Sequence, residues 1–297
     1  MLIRFGFEIS VECNVPVPML LALSSHPEFS GRLIGEDYVR TDRGIPVVEY
    51  LDGFQNRFSR IVAPPGRLTI WSDCVAEVDG APDAVFPWAV QHPVEDLPYE
   101  VLTFLTASRY CDGDEFGEFA WKTFGHFQAG WPRVQAICDF VHNHATFGYG
   151  FGRPTKTAHD VLREKTGVCR DFAHLAVALC RAMNIPARYA SGYLGDIGVP
   201  PSGPDDFCAW FEVYLSGAWH TLDARHNHPR IGRILMVRGR DAADVAMITS
   251  FGSYDLTWFR VWTQQLPDGT TDAEIEGLLT RLPYSDALTL GSSARVY

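Results

Sequence analysis

Apolar and polar residues alternate from the start of the chain: Ile3, Phe5, Phe7, Ile9 and Val11 on one side, Arg4, Gly6, Glu8, Ser10 and Glu12 on the other. A period of two predicts a strand with one face buried. The signal returns in VVEYLDGFQNRFSRIV, read as a hairpin about Asp52-Gly53 and Gln55-Asn56. It returns again in RLTIWSDCVAEV, where Leu68, Ile70 and Ser72 alternate with Thr69, Trp71 and Asp73. Residues 1–82 are therefore expected to form an all-β, sandwich-like N-terminal domain. Prolines and short apolar runs in GAPDAVFPWAVQHPVEDLPYE then mark residues 83–128 as a connecting segment.

Beyond it the period lengthens. In WPRVQAICDFVHNHATF, Val134, Ile137, Cys138 and Val141 recur at helical spacing. In KTGVCRDFAHLAVALCRAMNIPARYASGYL, Cys169, Phe172, Ala173, Ala176, Val177, Cys180 and Met183 draw one apolar face of a helix from about Cys169 to Met183. Thr166-Gly167 is expected to cap that helix, and Asn184 with Pro186 to stop it. Cys169 then lies in the first turn, where unpaired N–H groups and the positive end of the helix dipole favour a thiolate. A lone cysteine on an apolar face is more often a small buried hydrophobe, so the partners of Cys169 decide its role.

Those partners lie downstream. RYASGYL reads as a strand, and FCAWFEVYL alternates Phe207, Ala209, Phe211, Val213 and Leu215 against Cys208, Trp210, Glu212 and Tyr214. A two-residue turn at Ser216-Gly217 returns the chain as AWHTLDAR. In that register 210 faces 223 and 208 faces 225, which makes Cys208 and Asp223 diagonal neighbours on one face. LTWFRVWTQQL is expected to be a strand with an aromatic stripe. Trp210 and Trp219 read as core packing or cleft walls, and the run RGRDAADV (Arg238, Arg240, Asp241, Asp244) as a solvated helix start or, less simply, a pocket mouth.

Composition narrows the class of function. A chain of 297 residues with 46% hydrophobic and 21% charged residues builds a substantial globular core. A formal charge of −11 leaves no Lys/Arg surplus for phosphates, so nucleic acid and anionic membrane surfaces are not expected partners. The first residues lack a basic region followed by an apolar core, and no run of roughly 20 apolar residues occurs; the expectation is a soluble, cytoplasmic protein. The seven cysteines, at 13, 74, 111, 138, 169, 180 and 208, are scattered and contain no CxxC, so neither a disulfide framework nor a zinc knuckle is expected, and no cofactor or metal is assigned. The oligomeric state is not legible.

Helix-borne Gly-Val-Cys at 167–169, Ala-Trp at 209–210 and Asp-Ala-Arg at 223–225 together resemble the bacterial transglutaminase-like family, relatives of the papain-like cysteine proteases. The core likeness spans about residues 130–230, and with its flanks it covers most of the chain. The resemblance implies an α+β fold: the β-rich domain, then residues 129–297 as a core with a Cys-bearing helix packed on an antiparallel sheet, followed by a C-terminal extension. It implies a peptide or protein substrate, a Cys169 nucleophile that forms a thioester, and Asp223 as the orienting acid. Hydrolysis of a peptide or isopeptide bond and acyl transfer both remain open. The family's histidine position is Cys208, and a thiol cannot serve as an imidazolium does. The candidates for a replacement base are His142, His144, His226 and His228. His220 lies opposite Val213 on the other strand face, and His174 is about 140° around the helix from Cys169. Two other readings stand beside the thiol hydrolase. One is a catalytically silent peptide-binding or scaffold protein. The other is a thiol redox or metal site of Cys169, Cys208 and Asp223. If Cys208 occupies the family's histidine position, the two thiols are expected to be unbonded neighbours.

Overall fold

The structure, a computed structural model, describes residues 1–29, 31–201, 203 and 205–279. Strand Leu2–Cys13 is the spine of the first sheet, pairing antiparallel with Gly66–Glu77 on one side and Asp255–Gln265 on the other. Ile3, Phe5, Phe7, Ile9 and Val11 are at most 1% exposed. The other face is covered too: Glu8 and Ser10 are buried, and Trp262 occupies the space a Cβ on Gly6 would need. The expected half-buried strand is thus buried on both sides along most of its length.

A second sheet, in the order Ile248–Ser250, Val17–Leu21, Arg57–Ala63, Val48–Leu51, contributes Met19, Leu21, Ile61 and Ala63 to the same apolar core. The Val48–Leu51 and Arg57–Ala63 strands form the expected hairpin, whose turn is held by Asp52 Oδ1 accepting the N–H groups of Phe54 and Asn56. Both sheets draw strands from the C-terminal extension: 248–250 joins the second and 255–265 the first.

The third sheet is antiparallel in the order Ala218–Leu222, Phe207–Leu215, Ala187–Tyr193, Ile234–Gly239. Six α-helices accompany it among the described residues: α1 (Tyr99–Leu102), α2 (Gly117–Phe124), α3 (Trp131–His144), α4 (Ala158–Glu164), α5 (Cys169–Ala182) and α6 (Asp272–Leu279). Phe172, Leu175, Leu179 and Cys180 of α5 pack with Val134, Ile137 and Val141 of α3 and with Phe211, Val213 and Leu215 of the sheet. Because helices and sheet enclose it, α5 is buried all round from Asp171 to Arg181, and its polar residues act as ties. The Arg181 guanidinium donates to the carbonyls of Thr106, Ala187 and Arg240, while His174 Nε2 accepts the Ala242 N–H.

These ties change the reading of RGRDAADV. The run forms no helix, and Asp241 is fully buried, its carboxylate accepting the N–H groups of Tyr110 and Ala243. Arg240 pairs with Asp244 and Arg238 with Glu212. The buried Asp241 and the paired arginines make it a structural clasp beside α5. Trp210 and Trp219 are packing residues, Trp210 beneath Arg233 and Trp219 between Arg188 and Phe104.

The start of α5 also differs in detail from the expected cap. Thr166–Gly167 pair in parallel with Thr146–Phe147, and it is Asp171, held by Arg170, that accepts the Val168 N–H. Asn184, with φ of 59°, ends the helix in a left-handed turn.

At the far end, Ser216 and Gly217 take φ of 50° and 80°, and the strands pair Leu215↔Ala218 through Phe211↔Leu222, the register expected from a two-residue turn. Gly192 faces Cys208 in the ladder, and a Cβ there would lie 2.0 Å from the Ile234 carbonyl oxygen. Gly192→Ala is expected to cost about 1–3 kcal/mol by overpacking. Thermal unfolding measures it, and an unchanged midpoint would show that the strand spacing is wrong.

Candidate active site

Cys169 is the first residue of α5 and the only one of the seven cysteines that is not buried. As a first-turn residue its own N–H has no intrahelical acceptor. Cys208, the second residue of its strand, is buried and faces it; both are free thiols. The neighbouring Cys208 thiol, the Arg225 charge and the Ala209 N–H together outweigh burial and lower the Cys169 pKa. The same contact and burial push the Cys208 thiol well up. The lower pKa of the pair is thus at Cys169, consistent with its place at the helix N-terminus. Arg225 stacks on Phe147, its Cζ 3.7 Å from the ring centre, with Nη1 4.0 Å from Cys208 Sγ.

Asp223 directly follows the Ala218–Leu222 strand, and the chain turns over its carboxylate. Oδ1 accepts the N–H groups of Arg225 and His226, each at 3.0 Å. Oδ2 accepts His226 Nδ1 at 2.8 Å and Arg233 Nη2 at 2.9 Å. Burial opposes ionisation here, but Arg233 and His226 overcome it and hold the Asp223 carboxyl well below the usual range. Arg233 is anchored in turn by Asp83.

Cys208, Asp223 and His226 bring a ligand atom each to within 4.8 Å of one another. Tyr149, Cys169, Asp206, Cys208, Arg225 and His226 line a shared cavity of about 30 Å³. Burial raises the Asp206 carboxyl to about 6, against the Phe207 N–H and Arg225.

Of the four candidate bases, only His226 is at this cavity. His142 Nδ1 bonds the Arg225 carbonyl at 2.8 Å and His144 Nε2 the Leu162 carbonyl at 2.7 Å. His228 Nδ1 bonds the His226 carbonyl and borders a separate pocket behind Asp223. His220 and His174 are away from the thiols as expected, the first against Phe86 and Trp131, the second between Tyr110 and Tyr189. Cys208 and Asp223 come together as the strand register predicts, His226 joins them, and Cys169 lines the same cavity as Cys208 and His226. Arg225, Arg233, Asp206 and Tyr149 were not singled out for the site. The sequence signal for His226 was faint: an aspartate at a strand end whose turn carries a histidine three residues on.

Residues 125–224 match the transglutaminase-like superfamily. Over 91% of its length the chain superposes on 92% of a protein of Cytophaga hutchinsonii described as a candidate cysteine protease, with 30% identity and a TM-score of 0.79. This chain belongs to the transglutaminase-like superfamily. An uncharacterized protein of Mycobacterium tuberculosis is 30% identical over 220 residues, 65% of this chain and 68% of the relative. One of Mycobacterium leprae is 32% identical over 127 residues, 41% of this chain and 40% of the relative. The transglutaminase-like match ends at residue 224, so it contains Cys169, Cys208 and Asp223 but stops short of His226. Among the described residues of this transglutaminase-like chain, no helix is long and apolar enough to cross a membrane.

Proposed function

We propose that this transglutaminase-like protein is a thiol enzyme acting on an amide bond of a peptide or protein, with His226 in place of the histidine that position 208 lacks. The observation that carries the reading is the 2.8 Å contact between Asp223 Oδ2 and His226 Nδ1 at the wall of the cavity that Cys169 lines. An aspartate bonded to one imidazole nitrogen leaves the other to accept a proton, which is the triad arrangement with the imidazole supplied from a turn instead of a strand.

In this scheme the Cys169 sulfur attacks the carbonyl carbon and its proton passes to His226. The Cys208 thiol lines the same cavity as both groups. The carbonyl oxygen takes the negative charge and is met by the free N–H of the first turn of α5. The C–N bond breaks, the leaving amine receives the proton from His226, and a thioester on Cys169 remains. Water then releases an acid, or an amine takes the acyl group. Seven free cysteines suit a reducing compartment, so the cytoplasm is the proposed location.

The test is labelling with a cysteine-directed electrophile, followed by peptide mapping and by turnover of glutamine-containing and isopeptide-linked peptides. One adduct, on Cys169, is expected; it is absent in Cys169→Ala and slowed in His226→Ala. Equal labelling with and without His226, and no turnover of any peptide, would leave the silent scaffold as the better account.

A further inference from the structure

A cysteine at position 208 removes more than a base. It also removes the cation that an imidazolium at that position would place beside the nucleophile. We propose that Arg225 supplies this charge, as a fixed cation facing the cavity that Cys169 lines, so that the two duties of one imidazole are divided: charge to Arg225, proton transfer to His226. The inference rests on the proposed function for the role of His226, but the charge itself requires no turnover.

The backbone sets the position of Arg225. Its N–H is held by Asp223 Oδ1 at 3.0 Å, and its carbonyl accepts His142 Nδ1 at 2.8 Å. The guanidinium then lies over the Phe147 ring, Cζ 3.7 Å from the ring centre, with Nη1 4.0 Å from Cys208 Sγ, and it lines the cavity together with Cys169. Among the described residues no carboxylate forms an ion pair with Arg225, whereas Arg230 pairs with Asp196 and Arg233 with Asp83 and Asp223. Those neighbours are committed to holding the chain together; Arg225 keeps its charge for the cavity.

The electrostatics agree in sign. Next to the Cys208 thiol, and against burial, the Arg225 charge lowers the Cys169 pKa, while the Asp206 charge raises it. The other groups around the sulfur add little net charge near neutral pH. Burial holds the Tyr149 hydroxyl at about 12 and raises that of Tyr189. Cys208 is pushed well up, Arg170 is paired with Asp171, and Asp205 accepts the Thr263 N–H. Burial raises the Asp206 carboxyl to about 6, so Asp206 gains its negative charge on the acid side of neutrality, and Arg225 offsets it. An imidazolium loses its charge close to neutral pH, but a guanidinium does not. A thiolate partnered by Arg225 therefore keeps its partner where one held by a histidine would lose it.

The test is the rate of Cys169 alkylation by iodoacetamide as a function of pH, measured on the full chain. Arg225→Met, which leaves both backbone bonds in place, is expected to raise the midpoint of the rate profile by about one pH unit, which slows labelling about tenfold below the midpoint. Arg225→Lys keeps a cation and should recover at least half of that shift. Asp206→Asn should move the midpoint the other way, downward. His226→Ala should slow labelling at every pH with the midpoint in place. An unmoved midpoint in Arg225→Met would overturn the inference, as would equal rises in Arg225→Met and Arg225→Lys, which would trace the effect to packing on Phe147. A rise in His226→Ala in place of Arg225→Met would make the imidazole the cation. A shifted midpoint in a protein that turns over no peptide would refute the enzyme reading alone, and turnover with an unshifted midpoint would refute the role of Arg225 alone.

Discussion

Replacing His226 with alanine is expected to lower kcat/KM for the proposed amide hydrolysis by about 10²–10⁴-fold, the usual worth of a positioned general base. The loss is expected at unchanged fold, because the imidazole sits at a cavity wall and its hydrogen-bond partner, Asp223 Oδ2, keeps the Arg233 bond. Putting Cys208→His into the same background should recover at least tenfold of that loss. The strand position is beside Cys169, and removal of His226 frees the Asp223 oxygen that a new imidazole needs. Full activity in His226→Ala would place the base elsewhere. A dead double variant that folds and still alkylates at Cys169 would mean that position 208 cannot present an imidazole to Asp223.

Arg233→Met is expected to destabilise the protein by about 3–5 kcal/mol, the cost of stranding a buried charge. Asp223 is 6% exposed, and among the described residues the guanidinium that pairs with it is Arg233, Nη2 at 2.9 Å. Methionine keeps the apolar stem over Trp210 but removes the guanidinium that bridges Asp223 and Asp83. A fall in thermal midpoint of roughly 6–10 °C corresponds to that energy for a chain of this size. Adding Asp223→Asn should restore part of the stability, since the stranded charge is then gone, while activity stays low for lack of an oriented base. A midpoint within about a degree of the parent would show that Arg233 does not hold the Asp223 charge in solution.

Local periodicity made much of this protein legible without coordinates. Alternation at residues 3–11 and 207–215 announces strands, spacing from 169 to 180 announces a buried helix with Cys169 at its head, and Ser216-Gly217 admits one tight turn. That turn sets the register, and the register alone puts Cys208 and Asp223 on one face. These features follow from residues close in sequence, where side-chain period and turn chemistry act directly.

Which histidine joins the candidate site depended on tertiary structure. His226 lies past the last paired residue, in a turn with no period to read, and four histidines were equivalent until the Asp223 carboxylate gathered the backbone of 225 and 226 beneath it. The long-range pairings were hidden for the same reason. The strand at 255–265 closes on the strand at 2–13, Arg233 reaches Asp83 and Asp223 together, and Asp241 is buried under Tyr110. Nothing in those segments specifies partners that, for the Tyr110–Asp241, Asp83–Arg233 and strand pairings, lie more than a hundred positions away in the chain. A charged run reads as solvated until packing removes its water, and then only its hydrogen-bond partners, brought from elsewhere in the chain, determine what it does.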